Sequence, residues 1–594
     1  MNRLSAGVLL ALAILSAHAV EYEMGGGKLS VKGSITAGAA FRTVPQDTDL
    51  LANVNSSQVG ITGTALTPTT GRNQDDGNLN FNKHDAVSQV VNGYLSLEYK
   101  SGDYVALAST KLWYDYALEK VGRPWGNIPN ALAPDAPLSD ECAQPRSRFG
   151  KVALDNLYLN GRHQVAAMPL EWTLGYQKLD WGNRFIVLGG LRDLNPIDIP
   201  ALTRPGMLQR DQETRISVPQ IFSRLGIAQS TSIEGFYQFA FERSAPTQCG
   251  TFYSGVDWYS DGCNAVTVGP GSDRVALATG NFLKRADNVM PPDSGQFGLA
   301  IIHTVDAWAT RFGLNVTQFH SRTGYSGVTK SLRTAGPPFV PGDPGDLNPT
   351  YYTDFPDNIR MFAATFETRF KGGFAYGELT YRPNQPLQFN AADLLGAVLS
   401  PVAPTTLRDQ ERALPPGGTL SGFERHKNVQ LQLGAIGQAP GVLGAMAFNW
   451  GAEIVYKGVP DLPDPAAVTR FGRVDVFGQG PVNGVCPPPA APTQCTTDGY
   501  VSRHAVGVRL VAGLRFANVA EGVELIPSLL FGQDVFGWSG DTGILQGRKL
   551  AVASLRVNLH NGFSGDVAWA PIWGGTYNNQ RDRSALVIYV GQRF

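Results

Sequence analysis

"KNVQLQLGAIGQ" (427–438) sets Val429, Leu431, Leu433 and Ala435 on one face of an extended chain and Gln430, Gln432 and Gly434 on the other. Successive side chains of a strand point to opposite faces, so this period of two reads as a half-buried strand. The next segment, "MAFNWGAEIVYK" (446–457), repeats it. Met446, Phe448, Trp450, Ala452, Ile454 and Tyr456 oppose Ala447, Asn449, Gly451, Glu453 and Lys457. "HAVGVRLVAGLRF" (504–516) does so again, with Val506, Val508, Leu510, Ala512, Leu514 and Phe516 against Gly507, Arg509, Gly513 and Arg515. Two hosts fit this pattern. In a soluble sandwich the apolar face is a core; in a membrane barrel it meets lipid while the polar face lines a lumen.

Connection lengths separate the two. The alternation predicts eighteen strands near 28–42, 88–99, 103–115, 151–163, 167–179, 214–228, 230–243, 294–304, 308–320, 358–371, 373–383, 426–438, 444–457, 500–516, 522–533, 548–559, 563–570 and 584–594. Every second connection is short, as in "KSGD" (100–103) and "KGG" (371–373), and the intervening ones are long. Outer-membrane barrels have short periplasmic turns and long external loops, which leaves both termini in the periplasm. The C-terminus "SALVIYVGQRF" ends on Phe594, with Val590, Ile588 and Leu586 in the same register. It resembles the signal read by barrel-assembly machinery, with Gln592 as a departure. At the other end "MNRLSAGVLLALAILSAHAVEYE" carries Arg3, an apolar run and Ala17-His18-Ala19. That is the pattern of a cleaved secretory signal peptide, too short to span a bilayer.

These features predict an all-β transmembrane antiparallel barrel in the outer membrane of a Gram-negative bacterium. Eighteen strands are expected, with sixteen or twenty as alternatives. The signal peptide occupies 1–19 and a single barrel domain 20–594. The formal net charge of −1 with 17% charged residues argues against a nucleic-acid partner, since no basic face stands out; the outward partner is outer-membrane lipid. Five cysteines in an exported chain are read first as disulfides. Proximity pairs Cys249 with Cys263 and Cys486 with Cys495, leaving Cys142. Metal binding is the rival reading, but no CxxC or HExxH spacing appears, and neither metal nor cofactor is expected. Closing a loop of about 15 residues is worth roughly 3 kcal/mol, which would firm an external loop.

Several segments together resemble the proteobacterial outer-membrane family catalogued as domain of unknown function 1302. They are "GNLNFNKHDAVS" (77–88), "LGYQKLDWGNRFIVLGGLRDLNPIDIPALTRPG" (174–206), "IEGFYQFAFERSAPTQCGTFYSG" (233–255), "SGQFGLAI" (294–301), "FPDNIRMFAATFET" (355–368), "GELTYRPNQPLQ" (377–388) and "YKGVPDLPD" (456–464). Where the family often has an acidic residue after Trp-Gly, this chain has Asn183. The resemblance implies a barrel associated with a periplasmic lipid-carrier-like protein and an inner-membrane RND-type transporter. It implies traffic of hydrophobic or amphipathic compounds of lipid, sterol or aromatic type.

An eighteen-stranded barrel has a lumen wider than wall side chains can fill, so it is a channel or a plugged transporter. Alternation turns Glu98, Glu234, Glu242, Glu367, Arg369, Glu378, Arg382, Glu453, Arg509, Arg515, Arg556 and Arg593 inward. Such charges either hold the wall as cross-strand ion pairs or form a path for a polar or anionic solute, the arginines of the last five strands being the group able to select anions. Between the fifth and sixth strands runs a segment both apolar and irregular, with Ile186, Val187, Leu188, Leu191, Leu194, Ile197, Ile199 and Leu202 among glycines and prolines. Left outside it would expose a large apolar patch. It is therefore expected to fold back into the lumen, where polar wall groups can satisfy irregular backbone. Candidate substrate contacts there are Trp181, Arg184, Phe185, Ile186, Leu188, Leu191, Asp193, Asn195, Pro196, Asp198 and Arg204; the other reading is a structural plug without substrate contact. No G-x-S-x-G, P-loop or metal spacing suggests catalysis. A transport barrel for hydrophobic compounds is the favoured expectation, and a solute-specific porin for small polar or anionic nutrients the alternative.

Overall fold

The computed structural model describes residues 20–65, 71–182, 186–206, 214–465, 468–486 and 495–594; the expected leader at 1–19 lies outside them. Eighteen strands form one closed antiparallel barrel. They are β1 (Gly27–Arg42), β2 (Ala86–Ser101), β3 (Tyr104–Asp115), β4 (Gly150–Val165), β5 (Met168–Gln177) and β6 (Val218–Ala228). Next come β7 (Thr231–Gln238), β8 (Gln296–Val305), β9 (Thr310–Phe319), β10 (Ile359–Phe370), β11 (Gly373–Gln388) and β12 (Phe423–Ala439). The last six are β13 (Ala447–Gly458), β14 (His504–Ala520), β15 (Val523–Phe536), β16 (Lys549–Leu559), β17 (Phe563–Ala570) and β18 (Ala585–Arg593).

All eighteen overlap the segments in which the alternation places them. Each pairs with its sequence neighbour, and β18 closes on β1 from Ser34↔Arg593 to Arg42↔Ala585. The last residue completes the seam. Gly33 N–H donates to Phe594 O at 2.8 Å, and Phe594 N–H donates to Gly33 O at 3.0 Å. A Cβ on Gly33 would lie 2.3 Å from the Phe594 ring, so the aromatic terminus packs directly over the glycine.

The outer face is the apolar one. Leu299, Ile301, Leu314 and Val316, opposite one another on β8 and β9, are 53–65% exposed. In water such a belt would drive aggregation; in a bilayer it is the lipid contact of a transmembrane barrel. Among the described residues no helix is long and apolar enough to cross a membrane, so the crossing rests with strands. Trp308 packs edge-on to Phe312, and Phe370 stacks on Trp450, near the short turns, as in an interfacial aromatic girdle.

Among the described residues the long connections carry structure of their own. Short segments, Ala265–Thr267, Phe282–Arg285, Tyr325–Thr329, Thr350–Asp354 and Thr419–Leu420, join loops distant in sequence into a five-stranded sheet. A helix at Ala391–Leu399 packs Leu394, Ala397 and Val398 into one cluster with Tyr351, Phe389 and Phe471. Together these make an external cap. Both expected disulfides are present, Cys249–Cys263 (Cα–Cα 6.3 Å) and Cys486–Cys495, while Cys142 is free and exposed.

Two expectations need correction. The strand expected at 230–243 ends at Gln238, so Glu242 is not a wall residue. Beyond Gln238 the chain turns to pair with the lumen segment, Ala245 N–H donating to Ile197 O at 2.8 Å and Ile199 N–H to Ala245 O at 3.1 Å. The lumen face is also not polar throughout. Phe236, Ala300, Ile302, Phe319, Ile359, Met361 and Ala363 make an apolar seam along the inner face of β7–β10. An inward apolar residue is tolerated where something apolar covers it, and the segment after β5 does so.

Candidate functional site: the segment across the lumen

The connection from β5 to β6 leaves and returns through a closed neck. Asn195 Nδ2 donates to Leu179 O and Leu179 N–H to Asn195 Oδ1, both at 2.8 Å. Asp198 N–H donates to Thr214 O, and Ile216 N–H to Pro196 O, also at 2.8 Å. A segment whose ends are pinned in this way behaves as a compact Ω-type loop rather than a free connection.

Its outgoing limb reaches wall strands six to eight places further round the barrel. Glu453 on β13 accepts the Ile186 N–H at 2.8 Å and the Val187 N–H at 2.9 Å. Gln432 on β12 donates to Val187 O at 2.9 Å, and Lys457 on β13 to Leu188 O at 3.0 Å. On β11, Glu378 accepts the Leu191 N–H at 2.9 Å. Arg382 donates to Gly190 O at 2.9 Å and pairs with Asp193 at 2.7 Å. Irregular backbone at membrane depth must find partners in protein, and charged partners make the stronger bonds. Here the wall supplies them one by one.

Gly189 and Gly190 are what allow so close an approach. Gly190 has φ +65°, and a Cβ there would sit 1.8 Å from Glu378 Oε1; one on Gly189 would sit 2.4 Å from Gln430 Oε1. After them a short 3₁₀ turn, Gly190–Leu194, buries Leu191 and Leu194. With Leu179 and Trp181 these cover the apolar seam of β7–β10. Trp181 meets Phe236 edge-on at 5.3 Å, and its indole N–H donates to Glu234 at 2.8 Å.

The returning limb lies on the first three strands. Asp198 caps the short helix Ile199–Thr203 through the Ala201 N–H and pairs with Lys111 of β3 at 2.6 Å. Burial works against the Asp198 carboxylate, yet Lys111 and Arg204 hold it below its usual range. The Arg204 guanidinium lies 4.1 Å over the Trp113 ring. Asn92 of β2 donates to Pro205 O at 2.7 Å. The segment thus touches β1–β3, β7–β10 and β11–β13, and so crosses the lumen.

Of the expected loop contacts, Trp181, Ile186, Leu191, Asp193, Asn195, Pro196, Asp198 and Arg204 all meet the wall, the neck or the loop itself. The Leu188 side chain stays exposed while its carbonyl accepts from Lys457, and Arg184 and Phe185 lie outside the described residues. Of the expected wall residues, Glu234, Glu378, Arg382 and Glu453 reach the loop among the described residues. Glu378 and Glu453 accept backbone amides instead of pairing across strands. Glu98 pairs with Lys100 at 2.9 Å, Arg509 with Asp534 at 2.8 Å, Arg556 with Asp566 at 3.0 Å, and Arg515 with Glu524. Arginines of the last strands are therefore matched to acids, contrary to the anion-path reading. Glu367, Arg369 and Arg593 sit on the inward register towards the short-turn end, away from the loop. Lys111, Gln430, Gln432 and Lys457 escaped sequence reasoning as contacts. Lys457 shares the inward register with Glu453 four residues earlier, and that was its available signal. Below the loop a cavity of about 960 Å³ opens at the short-turn end, lined by Arg162, Glu171, Arg224, Ser232, Ile302 and Thr304. Ile302 belongs to both the cavity and the apolar seam.

The family model described as a protein of unknown function, DUF1302, matches residues 1–594. The chain belongs to this family. Among curated proteins none matches the sequence. Solved structures with a similar course of chain include OccAB4 of Acinetobacter baumannii, at 8% identity, covering 95% of this chain and 98% of that one, with a TM-score of 0.40. The outer-membrane channel DcaP of the same organism follows at 7%, 98% and 100%, TM-score 0.35. OpdK of Pseudomonas aeruginosa, solved with vanillate, stands at 8%, 95% and 98%, TM-score 0.34. This DUF1302 chain is a closed β-barrel whose lumen is crossed by its own β5–β6 connection.

Proposed function

We propose that this DUF1302 barrel is a plugged transporter for hydrophobic or amphipathic compounds of lipid, sterol or aromatic type. The observation that carries the reading is the apolar seam of Phe236, Ile302, Phe319, Ile359 and Met361, covered by Trp181, Leu191 and Leu194 and continuous through Ile302 with the cavity below. A pore for polar solutes has no use for an apolar strip on its inner wall; a carrier of apolar cargo does, provided a plug keeps water off it at rest. The plug is tethered by hydrogen bonds that a competing group can replace one at a time, so displacement needs no unfolding of the wall. The pairing of Arg509, Arg515 and Arg556 with acids speaks against a solute-specific porin for anions. In this reading a periplasmic lipid-carrier-like protein and an RND-type inner-membrane transporter work with the cavity end, and the C-terminal strand is read by the barrel-assembly machinery.

The test is flux through proteoliposomes of the full chain. A protein deleted for 184–204 is expected to pass an uncharged naphthylamine dye faster than protein-free vesicles, and the dye is expected to quench Trp181 fluorescence in the intact protein. Passage of sucrose or benzoate by the intact protein with no effect of the dye on Trp181 would overturn the proposal.

A further inference from the structure

The cap contains a buried group of acids that the lumen does not use. Asp75 and Asp76 come from the first long connection, Asp257 and Asp273 from the fourth. Carboxylate oxygens of Asp75, Asp76 and Asp273 lie within 4.8 Å of one another, and all three residues are at most 4% exposed. Asp257, 2% exposed, lies beside the group, Oδ2 accepting the backbone N–H of Asp76 at 3.3 Å. Its Oδ1 is buried without any hydrogen-bond partner. Asn55 bridges the group, donating to Asp75 at 3.0 Å and Asp273 at 2.7 Å. Cations within reach include Arg72, 3.2 Å from Asp273, Arg583, which interacts with Asp257 and Asp75 electrostatically, and Arg274, which interacts with Asp76. Four carboxylates face three guanidiniums, and buried charges persist only when paired or when they coordinate metal.

We propose that Asp75, Asp76, Asp257 and Asp273 form a site for a calcium-type divalent cation that fastens the first and fourth external loops together. A hard cation takes carboxylate and amide oxygens in a flexible shell of six to eight. The four acids supply that chemistry, while the Asn55 amide oxygen accepts the Asp273 N–H at 2.9 Å. The orphaned Asp257 Oδ1 gains a ligand role. No spacing motif announces the site, because Asp76 and Asp257 are 181 residues apart and meet only through the fold of the cap.

The rival explanation is that the acids are protonated. Burial and mutual repulsion push Asp75 and Asp76 well above the usual carboxylate range, and Asp257 to about 8. A raised folded-state pKa contributes stability that is complete at low pH and lost as pH rises through the folded value. In EDTA the protein is therefore expected to melt lower at pH 9 than at pH 5, and calcium chloride should abolish that difference. Titration calorimetry of the EDTA-stripped full chain in detergent should find one calcium per chain, with a dissociation constant on the order of 10⁻⁴ to 10⁻³ M, as in extracellular modules. Asp76→Asn and Asp273→Asn should abolish binding and melt in EDTA at or above wild type; Asp257→Asn is the milder variant if either misfolds. The exposed Asp135→Asn should bind as wild type. Absence of calcium binding by the wild type, or binding retained in all three variants, would overturn the proposal.

Discussion

Removal of the Glu453 carboxylate tests the tether of the lumen loop most sharply. It accepts two backbone N–H groups, of Ile186 and Val187, at 2.8 and 2.9 Å. Hydrogen bonds to charged groups contribute about 1.5–3 kcal/mol each, so the pair is worth roughly 3–6 kcal/mol before relaxation. Gln432, Lys457, Glu378 and Arg382 still hold neighbouring atoms, and the half-buried Ile186 amide can recruit water, which favours the lower end. A loss of about 3 kcal/mol at 1.4 kcal/mol per decade is roughly a hundredfold rise in the open population. Glu453→Ala is expected to speed hydrogen exchange of the Ile186, Val187 and Leu191 amides about a hundredfold by that arithmetic, leaving β13 itself protected. Glu453→Gln keeps one acceptor and should give about a tenfold rise on the same scale. Arg556→Ala, which breaks a wall pair away from the loop, should leave those amides unchanged. Wild-type exchange rates across 186–191 in Glu453→Ala would refute the idea that wall carboxylates hold the plug.

Gly190→Ala should loosen the same segment, because the left-handed backbone costs an L-residue about 1–2 kcal/mol and the Cβ collides with Glu378. Limited proteolysis within 186–206 reads it. Leu299→Arg on the lipid face should destabilise the barrel by about 2–4 kcal/mol in urea unfolding from vesicles. Thr304→Arg, beside the cavity on the inner face, should stay within about 0.5 kcal/mol of wild type. In the cap, burial pushes Asp475 up to about 7. The stability it contributes is complete at pH 4 and lost as pH rises through 7. Asp475→Asn should therefore raise the cap's melting temperature at pH 8 and leave it unchanged at pH 4.

Strand positions were legible because alternation is local: "KNVQLQLGAIGQ" declares its two faces without reference to its neighbours, and β12 puts Gln430 and Gln432 inside as that pattern requires. The lumen loop was legible for a different reason. Its apolar content forbade an exposed position, and the wall was the remaining place for it. The apolar seam was not legible. In β8, "QFGLAIIHTV" carries Ala300 and Ile302 inward and Leu299 and Ile301 outward, so both faces look alike to a reading by polarity. The cap sheet was hidden because its strands of two to five residues are too short for a period to register, and their partners lie in other loops. Glu378 and Glu453 were readable as inward, but their partners are backbone amides, which leave no mark in a sequence.

The central claim is that residues 186–206 close the lumen. Single-channel recording in planar bilayers tests it most directly, comparing the full chain with a protein lacking 184–204. The account predicts a silent or nearly silent full-length barrel and a steady, large conductance once the segment is removed; a large, anion-dependent conductance from the intact protein, unchanged by the deletion, would contradict it.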